Sequence, residues 1–203
     1  MNTVIETIMK RQSVRLYEPT PIPKDILNTI IEAGNKAPFM SEKRYQPWRF
    51  VVVEDPKFRQ KLAQAGEPFR TNMVEGMKEH MPKMYESAMR LYDAMPEPKD
   101  MIYYNAPAIV FVIAPARNAI CCALACENII TAAGSFGIGS CYVGFGAMVK
   151  GDPDVVKALE LTEDEQIYGP ILLGYPKVNP GEGIAKELAE LRPKHKEPTV
   201  KWI

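Results

Sequence analysis

Histidine is almost missing from this chain: His80 and His195 are the two in 203 residues. A Ser-His-Asp or Cys-His machine would have to depend on one of them. His80 lies in a methionine-rich segment and His195 in a basic tail, and both read as solvated surface residues. The chain has no P-loop, no H-E-x-x-H and no G-x-S-x-G elbow. The glycines between Gly134 and Gly139 follow a helical pattern, not a strand, so they are not a dinucleotide fingerprint. Cysteine is scarce too, with four residues (Cys121, Cys122, Cys126 and Cys141) and no C-x-x-C pair. Cys122 and Cys126 share a helix face, but Ala123, Leu124 and Ala125 lie between them, so they read as small core residues and not metal ligands. Side-chain acid–base or nucleophilic chemistry is poorly supported, and a bound cofactor that makes the bonds is the better expectation.

Neither sign of charge is in excess, with Lys+Arg 25 against Asp+Glu 25. That balance disfavours nucleic acid or an anionic membrane as a general partner. The longest apolar stretch, Ala106 to Ala114, contains Pro107 and is too short to cross a bilayer. Met1 to Lys10 is amphipathic, carries Glu6 and has no signal-peptide core, so a cytoplasmic protein with reduced thiols is expected. No repeat or linker divides the chain, and 46% hydrophobic content over this length suits one core.

What is present reads as interspersed helices and strands. Val4, Ile5, Ile8 and Met9 recur at helical spacing. Pro23 suits the first position of a second helix with Ile26, Leu27, Ile30 and Ile31 on its apolar face. Trp48 to Val53, Pro107 to Ala114 and Tyr168 to Tyr175 predict three strands. Asp55-Pro56 and Asp152-Pro153 each read as an N-cap with a first-turn proline, and Thr162 with Glu165 as a capping box. Asn118 to Ser135 predicts a helix apolar nearly all round, which belongs at the centre or in a large interface. A glycine-rich turn, Gly137 to Ser140, follows it. Seven of the eleven methionines lie between Gly66 and Met101, and Met73, Met77, Met81 and Met84 suggest one helical stripe. That segment reads as a core-packed helix or as an adaptable lid, and the two are compatible. The element spacings do not form a regular βαβ series, so an α+β layer fold is expected.

One segment could bind an anion. If the chain is extended after the first helix, Arg11, Ser13 and Arg15 point to one side and suit a phosphate monoester. The bland alternative is a solvated basic corner at a helix C-terminus. A second basic cluster, Arg192 to Lys196, could close on the same phosphate. The apolar end Trp202-Ile203 makes most sense docked on a partner.

In order along the chain stand Arg11-Gln-Ser-Val-Arg15, Ala37-Pro38, Gln46-Pro-Trp48, Gly137-Ile-Gly139-Ser-Cys141 and Leu173-Gly-Tyr-Pro176. That series resembles the nitroreductase family of FMN flavoproteins from about Ile5 onward. The resemblance implies a three-layer α+β fold with a mostly antiparallel central sheet, in an interlocked homodimer with two flavins at the interface. It implies a single FMN-binding domain over 1–203, with a lid-like insertion at about 66–101. Arg11, Gln12, Ser13 and Arg15 match the phosphate- and ribityl-binding segment, and Lys194 and Lys196 the basic pair that reaches the flavin phosphate. Val143, Gly144 and Phe145 fall where backbone N–H groups face flavin N5. Pro38, Phe39 and Met40 fall where the partner subunit packs on the flavin. The chain departs from the pattern at Phe39 and Arg44, where a serine and an asparagine are usual. The implied activity is FMN-dependent transfer of hydride from NADH or NADPH to a small acceptor such as a nitroaromatic or quinone, in ping-pong fashion. A flavin-dependent dehydrogenase or dehalogenase with a dedicated substrate, and a non-catalytic flavin-binding protein, are the alternatives.

Overall fold

The sequence folds around one strand that is buried on both faces. In the computed structural model, which describes residues 2–40, 45–178, 186 and 196–202, strand β2 (Ala108–Pro115) is buried along its length except at Pro115. Strand alternation sends Ile109, Phe111 and Ile113 into one core and Val110, Val112 and Ala114 into another. β1 (Arg49–Val53), β3 (Gly139–Tyr142) and β4 (Glu165–Gly174) complete a four-stranded sheet in the order β1-β2-β4-β3. Every neighbouring pair is antiparallel.

One face carries α2 (Lys24–Asn35) and α5 (Ala119–Ser135). They approach closely because Gly34 has no side chain; a Cβ there would lie 2.6 Å from Ile129 Cγ1. α5 buries Cys122, Ala125, Cys126, Ile129, Ile130 and Ala133, yet leaves Ile120 80% and Leu124 42% exposed. Outside α5 lies α1 (Thr3–Lys10), an amphipathic helix with no buried residue.

The other face is covered by the first turns of α3 (Pro56–His80), by a 3-10 segment (Gly144–Gly151) and by α6 (Pro153–Ala158). Both Asp-Pro signals act as read: Asp55 accepts the Phe58 N–H at 2.7 Å, and Asp152 accepts the Val155 N–H at 3.0 Å. Farther out, α4 (Pro82–Ala94) joins Leu91 and Met95 to Leu16 and Met101 in a third cluster. The result is a sheet between two helical layers, the expected α+β class.

Four local expectations change. Met73 to Met84 do not form one stripe, because Met81 (φ −140°, ψ 60°) separates α3 from α4. Pro82 causes the break, since it donates no hydrogen bond and disfavours α geometry in the residue before it. β3 is a strand where the sequence suggested only a glycine-rich turn, so the described residues form four strands and not three. Glu165 does accept the Thr162 N–H at 3.1 Å, but no helix follows; Glu165 opens β4. Pro23 is the cap of α2, whose first residue is Lys24.

Candidate functional site

Where α1 stops, the Arg11 N–H turns back to the Ile8 carbonyl at 3.2 Å and the chain runs out along β3. Ser13 bridges Ser140 in parallel, and the Val14 N–H donates to the Ser140 carbonyl at 2.8 Å. Gly139 makes this contact possible, because a Cβ there would sit 2.8 Å from Val14 Cγ2. Arg15 then crosses to the α3 side, with its guanidinium carbon 5.7 Å from the centroid of the Tyr104 ring. Such a cation over a ring face is held by the ring quadrupole.

The predicted residues fall at several places. Arg11 is exposed, while Gln12, Ser13 and Arg15 are half-buried. Lys10, Arg11, Gln12 and Val14 border a cavity of about 330 Å³ between α1, the end of α5 and the Gly137–Ser140 turn. Arg15 does not border it. At the far end of β3, the Val143 N–H is already committed to the Pro170 carbonyl at 2.9 Å. Gly144 and Phe145 begin the 3-10 segment, where the first N–H groups have no acceptor within the helix. Both residues are exposed, and a Cβ on Gly144 would meet nothing nearer than Tyr142 Cε1 at 3.8 Å. The Phe145 ring lies 5.5 Å from that of Phe69 on α3.

Pro38, Phe39 and Met40 belong to the opposite side of the sheet, where Phe39 stands edge-on to Trp48 at 5.7 Å. Met40 is 89% exposed. Within one chain these residues are therefore separated by the sheet from Arg15 and Val143. Lys196 is exposed, and Lys194 and Arg44 lie outside the described residues. Trp202 is 90% exposed.

Sequence reading missed a buried turn at residues 100–105. Asp100 accepts the N–H groups of Ile102 and Tyr103, both at 2.9 Å, and that of Asn105 at 3.4 Å. The Tyr103 hydroxyl donates to the Gly146 carbonyl at 2.8 Å, so it holds the segment that presents Gly144 and Phe145. Tyr104 supports Arg15. An Asp whose side chain caps the next few N–H groups is a readable turn signal, but its two long-range partners are not.

None of the four cysteines is in a disulfide, and burial pushes the Cys122 and Cys126 thiols up to about 12. Among the described residues no group of three or more His, Cys, Asp or Glu is placed to hold a metal ion. Among them, too, no helix is long and apolar enough to cross a membrane.

The sequence profile of the Nitroreductase family matches residues 8–175. The chain belongs to that family. A nitroreductase crystal structure with bound FMN from Bacteroides fragilis is 31% identical, with a TM-score of 0.66 and coverage of 99% of this chain and 96% of that one. A second nitroreductase with bound FMN, from Desulfitobacterium hafniense, shares the fold at 21% identity and a TM-score of 0.74, covering 100% of this chain and 99% of that one. A Methanothermobacter thermautotrophicus protein, named as a candidate NADH dehydrogenase/NAD(P)H nitroreductase, is 25% identical over 178 residues, 88% of this chain and 80% of its own.

Proposed function

We propose that this chain is an FMN-dependent oxidoreductase that passes hydride from NADH or NADPH to a small electron-poor acceptor, a nitroaromatic or a quinone. The observation that carries this is the placement of a cation and of backbone donors along one strand. The Ser13–Arg15 segment lies against β3, with Arg15 beside Cys141, and the exposed N–H groups of Gly144 and Phe145 follow directly after that strand. Arginine suits a phosphate or a flavin carbonyl, and unpaired N–H groups suit a flavin ring edge, so the donor set fits the cofactor. Arg11, Gln12, Ser13 and Arg15 would hold the phosphate and ribityl side, with Lys194 and Lys196 closing from the tail. Gly144 and Phe145 would donate near N5, and Val143 would serve through packing, since its own N–H is engaged.

Bound FMN supplies the two-electron acceptor that no side chain here provides. Phe145 and Phe69 wall the approach and exclude water. A single open face, taken in turn by donor and acceptor, makes the kinetics ping-pong.

The working unit in this reading is a homodimer. α1 exposes Val4, Ile5, Ile8 and Met9, and α5 exposes Ile120 and Leu124, an apolar surface that a second copy would cover. Pro38, Phe39 and Met40 would then reach the flavin of the partner, which accounts for their position across the sheet. The segment 66–101 acts as a lid on a single domain, and four cysteines outside any disulfide suit the cytoplasm. An absorption spectrum of the purified protein, followed by bleaching with NADH or NADPH, tests the whole reading. A colourless protein that takes up no FMN on reconstitution overturns it.

A further inference from the structure

A second cavity, larger than the one beside Arg11, lies away from the residues assigned to FMN. It encloses about 550 Å³ between the first half of α3 and the turn at residues 98–106. None of Arg11 to Arg15 and none of Val143 to Phe145 borders it. Its size falls in the range of small-molecule sites, and its lining has the usual composition of one: apolar walls with a few convergent polar groups.

The polar group that stands out is Arg59. Its Nε donates to the Glu54 carbonyl at 3.3 Å and its Nη1 to the Ala106 carbonyl at 2.7 Å. Nη2 has no hydrogen-bond partner, and Arg59 forms no ion pair among the described residues. A half-buried guanidinium is normally matched by a carboxylate, because an unmatched charge is costly to desolvate. Burial lowers the Arg59 pKa, while Asp100, Asp55 and Glu54 oppose that only at a distance. Asp100 is the nearest of these in the cavity wall, but its carboxylate is occupied by three backbone N–H groups. Arg59 borders the cavity with that donor unfilled among the described residues.

We propose that this cavity is a second ligand site, which takes a small organic monocarboxylate with an aromatic or branched apolar body. The carboxylate pairs with the free edge of Arg59, where a guanidinium fork matches two oxygens. Gln60 and Gln64 are within the same lining to complete its hydrogen bonds. The apolar body rests on Pro56, Ala63 and Pro98, the apolar lining residues that keep exposed surface. A dianion such as phosphate is disfavoured, because Asp100 and Glu67 bring negative charge to the same walls.

The test is calorimetric titration of the intact, FMN-reconstituted protein with 2-naphthoate, with inorganic phosphate run alongside and the flavin absorption band recorded throughout. Saturable binding of 2-naphthoate is expected with the flavin band unshifted and with at least tenfold weaker binding of phosphate. Arg59→Gln should weaken 2-naphthoate at least tenfold. If Arg59→Gln fails to fold, Gln64→Glu reads the same site, because Gln64 is exposed and a like charge placed there repels the carboxylate. No saturable binding, equal binding of phosphate, or binding that shifts the flavin band and survives these substitutions would overturn the proposal. The last outcome would put 2-naphthoate on the flavin itself.

Discussion

Replacing Tyr103 by phenylalanine removes one hydroxyl and leaves the ring that fills its place. Tyr103 is 1% exposed, and the oxygen that would be lost donates to the Gly146 carbonyl at 2.8 Å. Burial, reinforced by Asp100, holds the phenol pKa well above its ordinary value, so the donor proton is present through neutral and moderately alkaline pH. Gly146 is itself buried, and a Cβ there would lie 2.7 Å from Pro170 and 2.9 Å from the Tyr103 ring. The turn is packed too closely for water to replace the lost hydroxyl. Leaving that acceptor unmatched costs about 1–3 kcal/mol. For a chain of this length each kcal/mol shifts the melting temperature by roughly 2–4 °C, so a fall of about 2–12 °C is expected.

The same change has a second, separable readout. Gly144 and Phe145 lie within two residues of the released carbonyl, so a looser turn should weaken FMN retention along with stability. Thermal melts followed by circular dichroism, and FMN titration of the apo-protein, measure the two effects. The control is Tyr103→Ala, which also deletes the ring and should cost about 3–5 kcal/mol. If Tyr103→Phe melts within about 1 °C of the parent, the hydrogen bond is not holding the turn. If it melts lower but binds FMN unchanged, the bond is structural only and does not position the donors.

Arg11→Ala and Arg15→Ala should each remove a charge-assisted contact worth roughly 1.5–3 kcal/mol, which is about ten- to hundredfold in FMN affinity; unchanged dissociation constants for both would return the segment to a surface corner. Arg49 binds Glu165 through Nε at 3.0 Å and Nη2 at 2.9 Å, and this pairing, against the effect of burial, holds the Glu165 carboxyl below its ordinary pKa. A depressed folded pKa gives stability that is present above the unfolded value, about 4.3, and lost as pH falls through the folded one. Glu165→Gln should therefore flatten the acid limb of the melting temperature against pH, and an equally steep limb in the variant would refute the assignment. Ile8 is 48% exposed on α1, and Ile8→Glu should shift sedimentation towards monomer and loosen FMN together; a variant that stays dimeric would remove α1 from the interface.

Much of the scaffold was legible because its signals are local. The run Trp48 to Val53, the buried stretch to Ala114 and the apolar pattern of α5 each specify an element without help from the rest of the chain. The Asp-Pro caps mark two helix starts to the residue. β3 was not legible, since Gly139 and Ser140 are poor strand formers, and the strand exists because β4 pairs with it on one side and Ser13 on the other. The methionine stripe failed for a reason written in the sequence: Pro82 interrupts the helix between Met81 and Met84. In the candidate site, Arg15 could be named from sequence, but its Tyr104 support could not, because that contact joins residues far apart in the chain.

The turn at 100–105 explains why such support takes the form it does. Tyr104 and Asn105 both sit at φ 52°, a left-handed geometry that asparagine tolerates and tyrosine adopts at a cost of order 1–3 kcal/mol. Glycine at position 104 would relieve the backbone but would offer no ring to Arg15. The fold keeps the strained residue and holds it from two sides, with the Asp100 carboxylate on the turn's N–H groups and the Arg15 guanidinium over the ring. Two consecutive tyrosines then serve the same end of β3, Tyr103 at the Gly146 carbonyl and Tyr104 at Arg15. The backbone donors and the cation proposed to hold FMN are thus set by one short turn. That turn also walls the larger cavity.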